Sequence, residues 1–209
     1  MAYADVPDSL LYPEELATVA GASERRRRAF AAGRHCAHRP LDHLGVPAGP
    51  LPVGRSGEPL WPAGGAGAIT HCESYRAAAA ARSTELAALG IDAEPHAPLP
   101  AGALEAVVLP HERGRRRALA RVRPGLHRDK VLLSAKESVC KAWFPLTGRW
   151  LNFTQAELNF HPDPGQATTA GEFHARPLVA GPVARGGPVR HFTNRWMLAD
   201  GLVVTAATA

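Results

Sequence analysis

Between Glu15 and Leu44 the apolar positions Leu16, Val19, Phe30, Leu41 and Leu44 lie three or eleven residues apart, near-multiples of the helical repeat, with acids at the start. That spacing predicts a helix over Glu15–Leu44. Gly45 to Gly67 is dense in glycine and proline, which predicts a loop or a string of turns. A short strand is expected at Ala68–Thr70. The alanine run Ala77–Ala81 favours helix by propensity alone. Gly90-Ile91-Asp92-Ala93-Glu94-Pro95 reads as a strand end stopped by proline. Pro98–Pro110 contains a helix candidate, and Asp129–Trp143 carries the clearest helical pattern in the chain.

Beyond it, Leu151–Phe160 and Phe173–Leu178 read as strands separated by the turn-rich HPDPG stretch. The C-terminal RWMLADGLVVTAAT is a hairpin signal, two apolar runs joined by Asp200-Gly201, a pair suited to a tight primed turn. Helices and strands mix in both halves, with antiparallel character at the end, so the expected class is α+β (mixed α/β). No internal period marks a solenoid.

A chain of 209 residues has room for one large domain or two small halves. No apolar stretch approaches the roughly 20 residues of a membrane helix. The N-terminal MAYADVPDSLLYPEE carries acids where a secretory signal carries positive charge. Cys36, Cys72 and Cys140 form no CxxC pair, as expected in a reducing compartment. The reading is cytoplasmic. His35-Cys36 and His71-Cys72 do not suit zinc, because adjacent residues rarely converge on one ion.

Charge adds more. The net charge is +5, and the excess is clustered: Arg25 to Arg28 with Arg34, His35, His38 and Arg39, then Arg113, Arg115 to Arg117, Arg121 and Arg123. Such clusters are either a solvated surface or a site for a polyanion: nucleic acid, an acidic protein or a nucleotide with several phosphates. Arginine suits phosphate because its fork donates two hydrogen bonds at once. A nucleic-acid-binding module is therefore a rival reading, but the aromatic content of 6% offers little for base stacking.

Two segments concentrate the chemistry. In GIDAEP, Asp92 and Glu94 stand two apart, so on a strand both carboxylates share one face. They are either solvent-facing acids at a strand end or ligands of a hard cation such as Mg²⁺. In SAKESVCKAW, Glu137 and Lys141 stand four apart on one helical face. Leu132, Ala135, Val139, Ala142 and Trp143 fall on the opposite, buried face. Glu137 and Lys141 are either an exposed ion pair or a third metal carboxylate with a cation beside a phosphate.

GIDAEP followed by SAKESVCKAWFP resembles the Sfp/EntD-type 4′-phosphopantetheinyl transferases, in particular their actinobacterial branch. RHCAHRPLDHLGVP, GRSGEPLWPAGGAGAITHCESYRAA and KAWFPLTGRWLNF are similar to that family as well, in order from about Arg26 to the C-terminal hairpin. The resemblance implies two similar α/β halves in one chain, related by a pseudo-twofold, with the active site at their interface. The halves would be residues 1–100, holding the coenzyme A-binding residues and the first metal carboxylates, and residues 101–209, holding the KES helix and the hairpin.

It further implies metal binding by Asp92, Glu94 and Glu137, and catalytic roles for Glu137, Lys141 and His71. Coenzyme A contacts would come from Arg26, Arg34, Thr70 and His71, from Arg55 or Ser56 in the Gly54–Pro59 loop, and from Asp92, Glu137 and Lys141 near the pyrophosphate. The loop departs from the family in having Arg55 and Ser56 where relatives often place a lysine. The Ala77–Ala81 run falls where the family has a strand, and tertiary context overrides propensity there. The implied activity is transfer of phosphopantetheine from coenzyme A to a serine of an acyl or peptidyl carrier protein, with Mg²⁺ or Mn²⁺ and release of 3′,5′-ADP. A monomer is expected, with acidic carrier proteins docking on positive or apolar surface and no nucleic-acid or membrane partner.

Overall fold

In the computed structural model, the described residues are 7, 10–72, 75–114, 125–163, 169–181, 183–184, 187–188 and 192–209. Of the second arginine cluster only Arg113 is among them, and the HPDPG turn lies outside them from Pro164 onward. The chain divides into two compact units, Met1–Leu89 and Gly90–Ala209. The content of helices and antiparallel sheets is α+β, as the sequence predicts.

The first unit contains α1 (Pro13–Thr18), α2 (Glu24–His43) and the antiparallel hairpin of β1 (Gly65–His71) and β2 (Arg76–Arg82). The single helix expected over Glu15–Leu44 is thus two. The chain breaks after α1, and Ser23 restarts it by accepting a hydrogen bond from the Arg26 N–H on its hydroxyl. The break also changes which residues face inward. Leu16 is 42% exposed, whereas its neighbour Glu15 is fully buried. Glu15 accepts from the Leu51 N–H at 2.8 Å, from His38 Nε2 at 2.9 Å and from the Tyr12 N–H at 3.0 Å. Burial pushes this carboxyl up, but the bonds from His38, Leu51 and Tyr12 outweigh it and hold Glu15 below its ordinary value.

The alanine run forms β2 because each of its residues has a β1 partner, from Ala77 opposite Thr70 to Ala81 opposite Ala66. Small side chains on the buried face of α2, among them Ala31, Gly33 and Ala37, let the helix lie on this hairpin. Ala37, Leu41, Val46 and Leu51 form the core, with Trp61, Ile69, Ala78 and Ala80 packed against it. Burial of this small apolar set, together with strand pairing, outweighs the helical preference of alanine.

The second unit carries β3 (Leu89–Pro95), α3 (Arg128–Thr147), β4 (Ala156–Pro162), β5 (Ala170–Pro177), β6 (Val183–Ala184), β7 (Gly187–Pro188), β8 (Phe192–Ala199) and β9 (Leu202–Thr208). Five of these strands make one sheet in the order β3-β9-β8-β5-β4, and β6 pairs with β7. Alternation is clean: Phe173 and Ala175 on β5 and Phe192 and Trp196 on β8 are buried, with Glu172, His174, Arg195 and Met197 outward. The apolar side of α3 predicted from the sequence is buried, including Leu132, Ala135, Val139, Ala142 and Trp143. Ser134 ties the helix to β9 through the Thr205 hydroxyl at 3.0 Å.

Asp200 and Gly201 both have positive φ, 50° and 74°, as the primed turn predicted for Asp-Gly requires. Two expectations shrink. The helix candidate in Pro98–Pro110 is a single 3₁₀ turn, Ala103–Ala106, entered through Gly102 at φ 81°. The strand expected from Leu151 begins only at Ala156, because Asn152 and Gln155 close a capped 3₁₀ turn first. No helix among the described residues is long and apolar enough to cross a membrane.

Gly90 is where β3 and α3 meet. A Cβ there would collide with the Ser138 carbonyl oxygen and stand 2.7 Å from the Ala142 nitrogen, both backbone atoms. Gly90→Ala should therefore lower stability by about 3 kcal/mol, read in denaturant melts. Glu15 supplies a pH test. Its lowered value means that its contribution is present above 4.5 and is lost as the pH falls through and below that value. Melting temperature of the wild type should drop more steeply on acidification past that point than that of Glu15→Gln.

Candidate active site

Strand alternation puts Gly90, Asp92 and Glu94 on one face of β3. Gly90 packs on α3, so the two carboxylates face the same helix. On α3, positions 130, 134, 137 and 141 follow one stripe at helical spacing. The two stripes meet charge to charge. Lys141 Nζ donates to Asp92 Oδ1 at 2.8 Å and to the Ile91 carbonyl at 3.1 Å, and Lys130 Nζ donates to Glu94 Oε2 at 3.0 Å.

Glu137 belongs to the same group. Burial pushes its carboxyl above the ordinary value; Lys141 pulls it down, and the charges of Asp92 and Glu94 add to the rise. The structure thus brings Asp92, Glu94, Glu137 and Lys141 into one electrostatic cluster. Among the described residues no three His, Cys, Asp or Glu side chains are gathered to enclose an ion as they stand. Instead, Asp92 and Glu94 each hold a lysine ammonium. The donor chemistry, three carboxylates, is the kind a hard divalent cation takes. Thiolate chemistry is absent from this cluster. Burial first, and then the Glu137 charge, push Cys140 up to about 12, and its thiol donates to the Leu151 carbonyl.

A second group lies in the first unit. A cleft there is lined by Arg26, Arg34 and His71 together with Phe30, Gly33, Val53, Gly57, Pro59 and Ile69. Three of these side chains can carry positive charge, which suits an anion. Of the loop residues singled out from the sequence, Gly57 and Pro59 line the cleft, whereas Arg55 and Ser56 are exposed at the loop tip and do not. The loop is closed by the Gly54 N–H on the Glu58 carbonyl at 2.8 Å and the Ser56 N–H on the Glu58 carboxylate at 2.9 Å. Thr70 is buried on β1 beside His71 and is not a lining residue.

Sequence reasoning missed the group that sets the orientation of α3. Lys136 is fully buried and donates to Glu112 Oε2 at 2.8 Å, to the Phe153 carbonyl at 2.8 Å and to the Ala156 carbonyl at 2.9 Å. Glu112 in turn accepts from the Leu109 and Leu158 N–H groups. A signal was present: Lys136 sits four after Leu132 and seven before Trp143, inside the apolar stripe. Lys130 was missed for a different reason, since its partner Glu94 is far away in sequence.

Comparison with known proteins gives consistent matches. Residues 14–81 match the family described as the 4′-phosphopantetheinyl transferase N-terminal domain, and residues 88–194 match the 4′-phosphopantetheinyl transferase superfamily. The chain is 52% identical over 208 residues to 4′-phosphopantetheinyl transferase Svp of Streptomyces mobaraensis, covering 98% of this chain and 82% of that one. It is 44% identical over 205 residues to 4′-phosphopantetheinyl transferase Npt of Nocardia iowensis, covering 97% and 91%. PptT of Mycobacterium tuberculosis, also a 4′-phosphopantetheinyl transferase, is 44% identical over 205 residues, covering 98% and 88%.

Removing the buried ammonium tests the orienting role of Lys136. Lys136→Met leaves Glu112 charged and buried without its counter-ion, and should cost about 3–5 kcal/mol in denaturant melts. A Lys136→Met, Glu112→Gln double variant should recover part of that loss.

Proposed function

The chain belongs to the 4′-phosphopantetheinyl transferase superfamily, and from that premise we propose how its residues move phosphopantetheine from coenzyme A to a carrier protein. The enzyme is a transferase with coenzyme A and carrier proteins as its partners. The observation that carries the proposal is the facing of Asp92 and Glu94 on β3 with Glu137 and Lys141 on α3.

Asp92, Glu94 and Glu137 would hold Mg²⁺, or Mn²⁺, which would supply positive charge beside the pyrophosphate of coenzyme A. Arg26, Arg34 and His71 bind phosphate in their cleft, and Thr70, Arg55 and Ser56 flank that group. Lys141, one helical turn from Glu137, offsets charge that grows on the departing phosphate.

Glu137 acts as the general base. Its membership of the charge cluster with Asp92, Glu94 and Lys141 supports that role. It takes the proton from the carrier serine while the serine oxygen attacks the β-phosphate, the phosphorus that bears pantetheine. The phosphoanhydride bond breaks, its electrons leave with 3′,5′-ADP, and the serine is left as a phosphodiester of pantetheine. The acceptors are carrier domains of polyketide, nonribosomal peptide or fatty-acid synthases. The working compartment is the cytoplasm, a reading supported by three free cysteines.

Intact-mass measurement of an apo carrier protein incubated with coenzyme A and Mg²⁺ should show the gain of one phosphopantetheine, abolished by chelator and by Asp92→Ala. Glu137→Gln should slow transfer about 10²–10⁴-fold while calorimetry still registers coenzyme A binding. A near-normal rate in that variant removes Glu137 from the base role.

A further inference from the structure

Arg34 is held on several sides at the first-unit cleft. Its residue is 6% exposed, its guanidinium carbon lies 4.4 Å from the centre of the Phe30 ring, and its Nε donates to the Leu51 carbonyl at 2.8 Å. With Nε committed, what Arg34 offers an anion in the cleft is its terminal nitrogens. The direction of those nitrogens depends on where the Leu51 carbonyl stands.

Leu51 is held on its N-terminal side as well, through the peptide that precedes it. The Leu51 N–H donates at 2.8 Å to Glu15, which is fully buried and also accepts from His38 Nε2 and the Tyr12 N–H. One acid on α1 therefore gathers the chain entering α1, a histidine of α2 and the N–H of the residue on whose carbonyl Arg34 rests. A carboxylate is the group that can accept from all three, since both oxygens are acceptors and neither must donate. Its charge also works in favour of the neighbouring cation: burial pulls Arg34 down to about 10, and Glu15 opposes that pull.

We propose that Glu15 is a positioning residue for recognition of the nucleotide's phosphate: acting through the backbone of Leu51, whose N–H donates to it and whose carbonyl takes Arg34 Nε, it sets the direction in which Arg34 presents its terminal nitrogens to a phosphomonoester in the cleft. The inference rests on the reading of this cleft as a phosphate site. If Glu15 only held the fold together, replacing it would lower stability without changing preference for one phosphate over its absence.

Calorimetry with two nucleotides separates these cases, 3′,5′-ADP and 5′-AMP, which differ by the 3′-phosphate. The wild type should prefer 3′,5′-ADP, and Arg34→Ala should lose that preference. Glu15→Gln, of the same shape but unable to accept from all three donors, should reduce the preference about tenfold and leave 5′-AMP affinity within about twofold. His38→Phe removes one donor to Glu15 at a half-buried helix position and should reduce it about threefold; it serves if Glu15→Gln does not fold. Wild-type preference in folded Glu15→Gln, or in His38→Phe when that is the variant measured, overturns the positioning role while the phosphate site stands through Arg34→Ala. Absence of preference in the wild type, or its survival in Arg34→Ala, overturns the phosphate reading of the cleft and the proposal with it.

Discussion

An ammonium buried with no access to water constrains the second unit more than any other single group. Lys136 needs three acceptors inside the protein, and it finds them in Glu112, in the Phe153 carbonyl of the 3₁₀ turn and in the Ala156 carbonyl at the start of β4. Losing any of them would leave a charge stranded in low dielectric, at a cost far above that of a surface pair. The helix that carries Lys136 is consequently fixed about its own axis. Glu137, one residue on and about 100° around the helix, turns toward β3 instead, and Lys141 follows it one turn later. The orientation of the acidic cluster is thus a consequence of a charge that takes no part in it.

Around that orientation the charges of the second unit are balanced but not at rest. Asp92 and Glu94 each hold a lysine, whereas Glu137 feels more repulsion and burial than attraction. Gly90 is the steric condition for the arrangement, since only a residue without a Cβ lets the helix backbone approach the strand closely enough.

The first unit solves a different problem with the same means. Its cleft is lined by Arg26, Arg34 and His71, and the charge of Arg26 repels that of Arg34. Arg34 is held by a ring, a carbonyl and, at one remove, the buried carboxylate of Glu15. In both units one fully buried ionised group organises backbone from several segments.

Sequence alone determined the α+β class, the burial face of α3, the Asp-Gly hairpin and the pairing of residues along one strand or one helix turn. These are local properties: the repeat of 2 on a strand and 3.6 on a helix places Asp92 with Glu94 and Glu137 with Lys141 wherever those elements lie. Tertiary structure alone decided that β2 is a strand despite its alanines, that Leu16 faces out while Glu15 faces in, and that Lys130 and Lys141 reach Glu94 and Asp92. It also decided that Arg34 lines the cleft whereas Arg55 and Ser56 do not. The reason is the same in each case: these outcomes depend on partners far apart in sequence, and no local periodicity encodes which distant backbone or charge will complete a buried group.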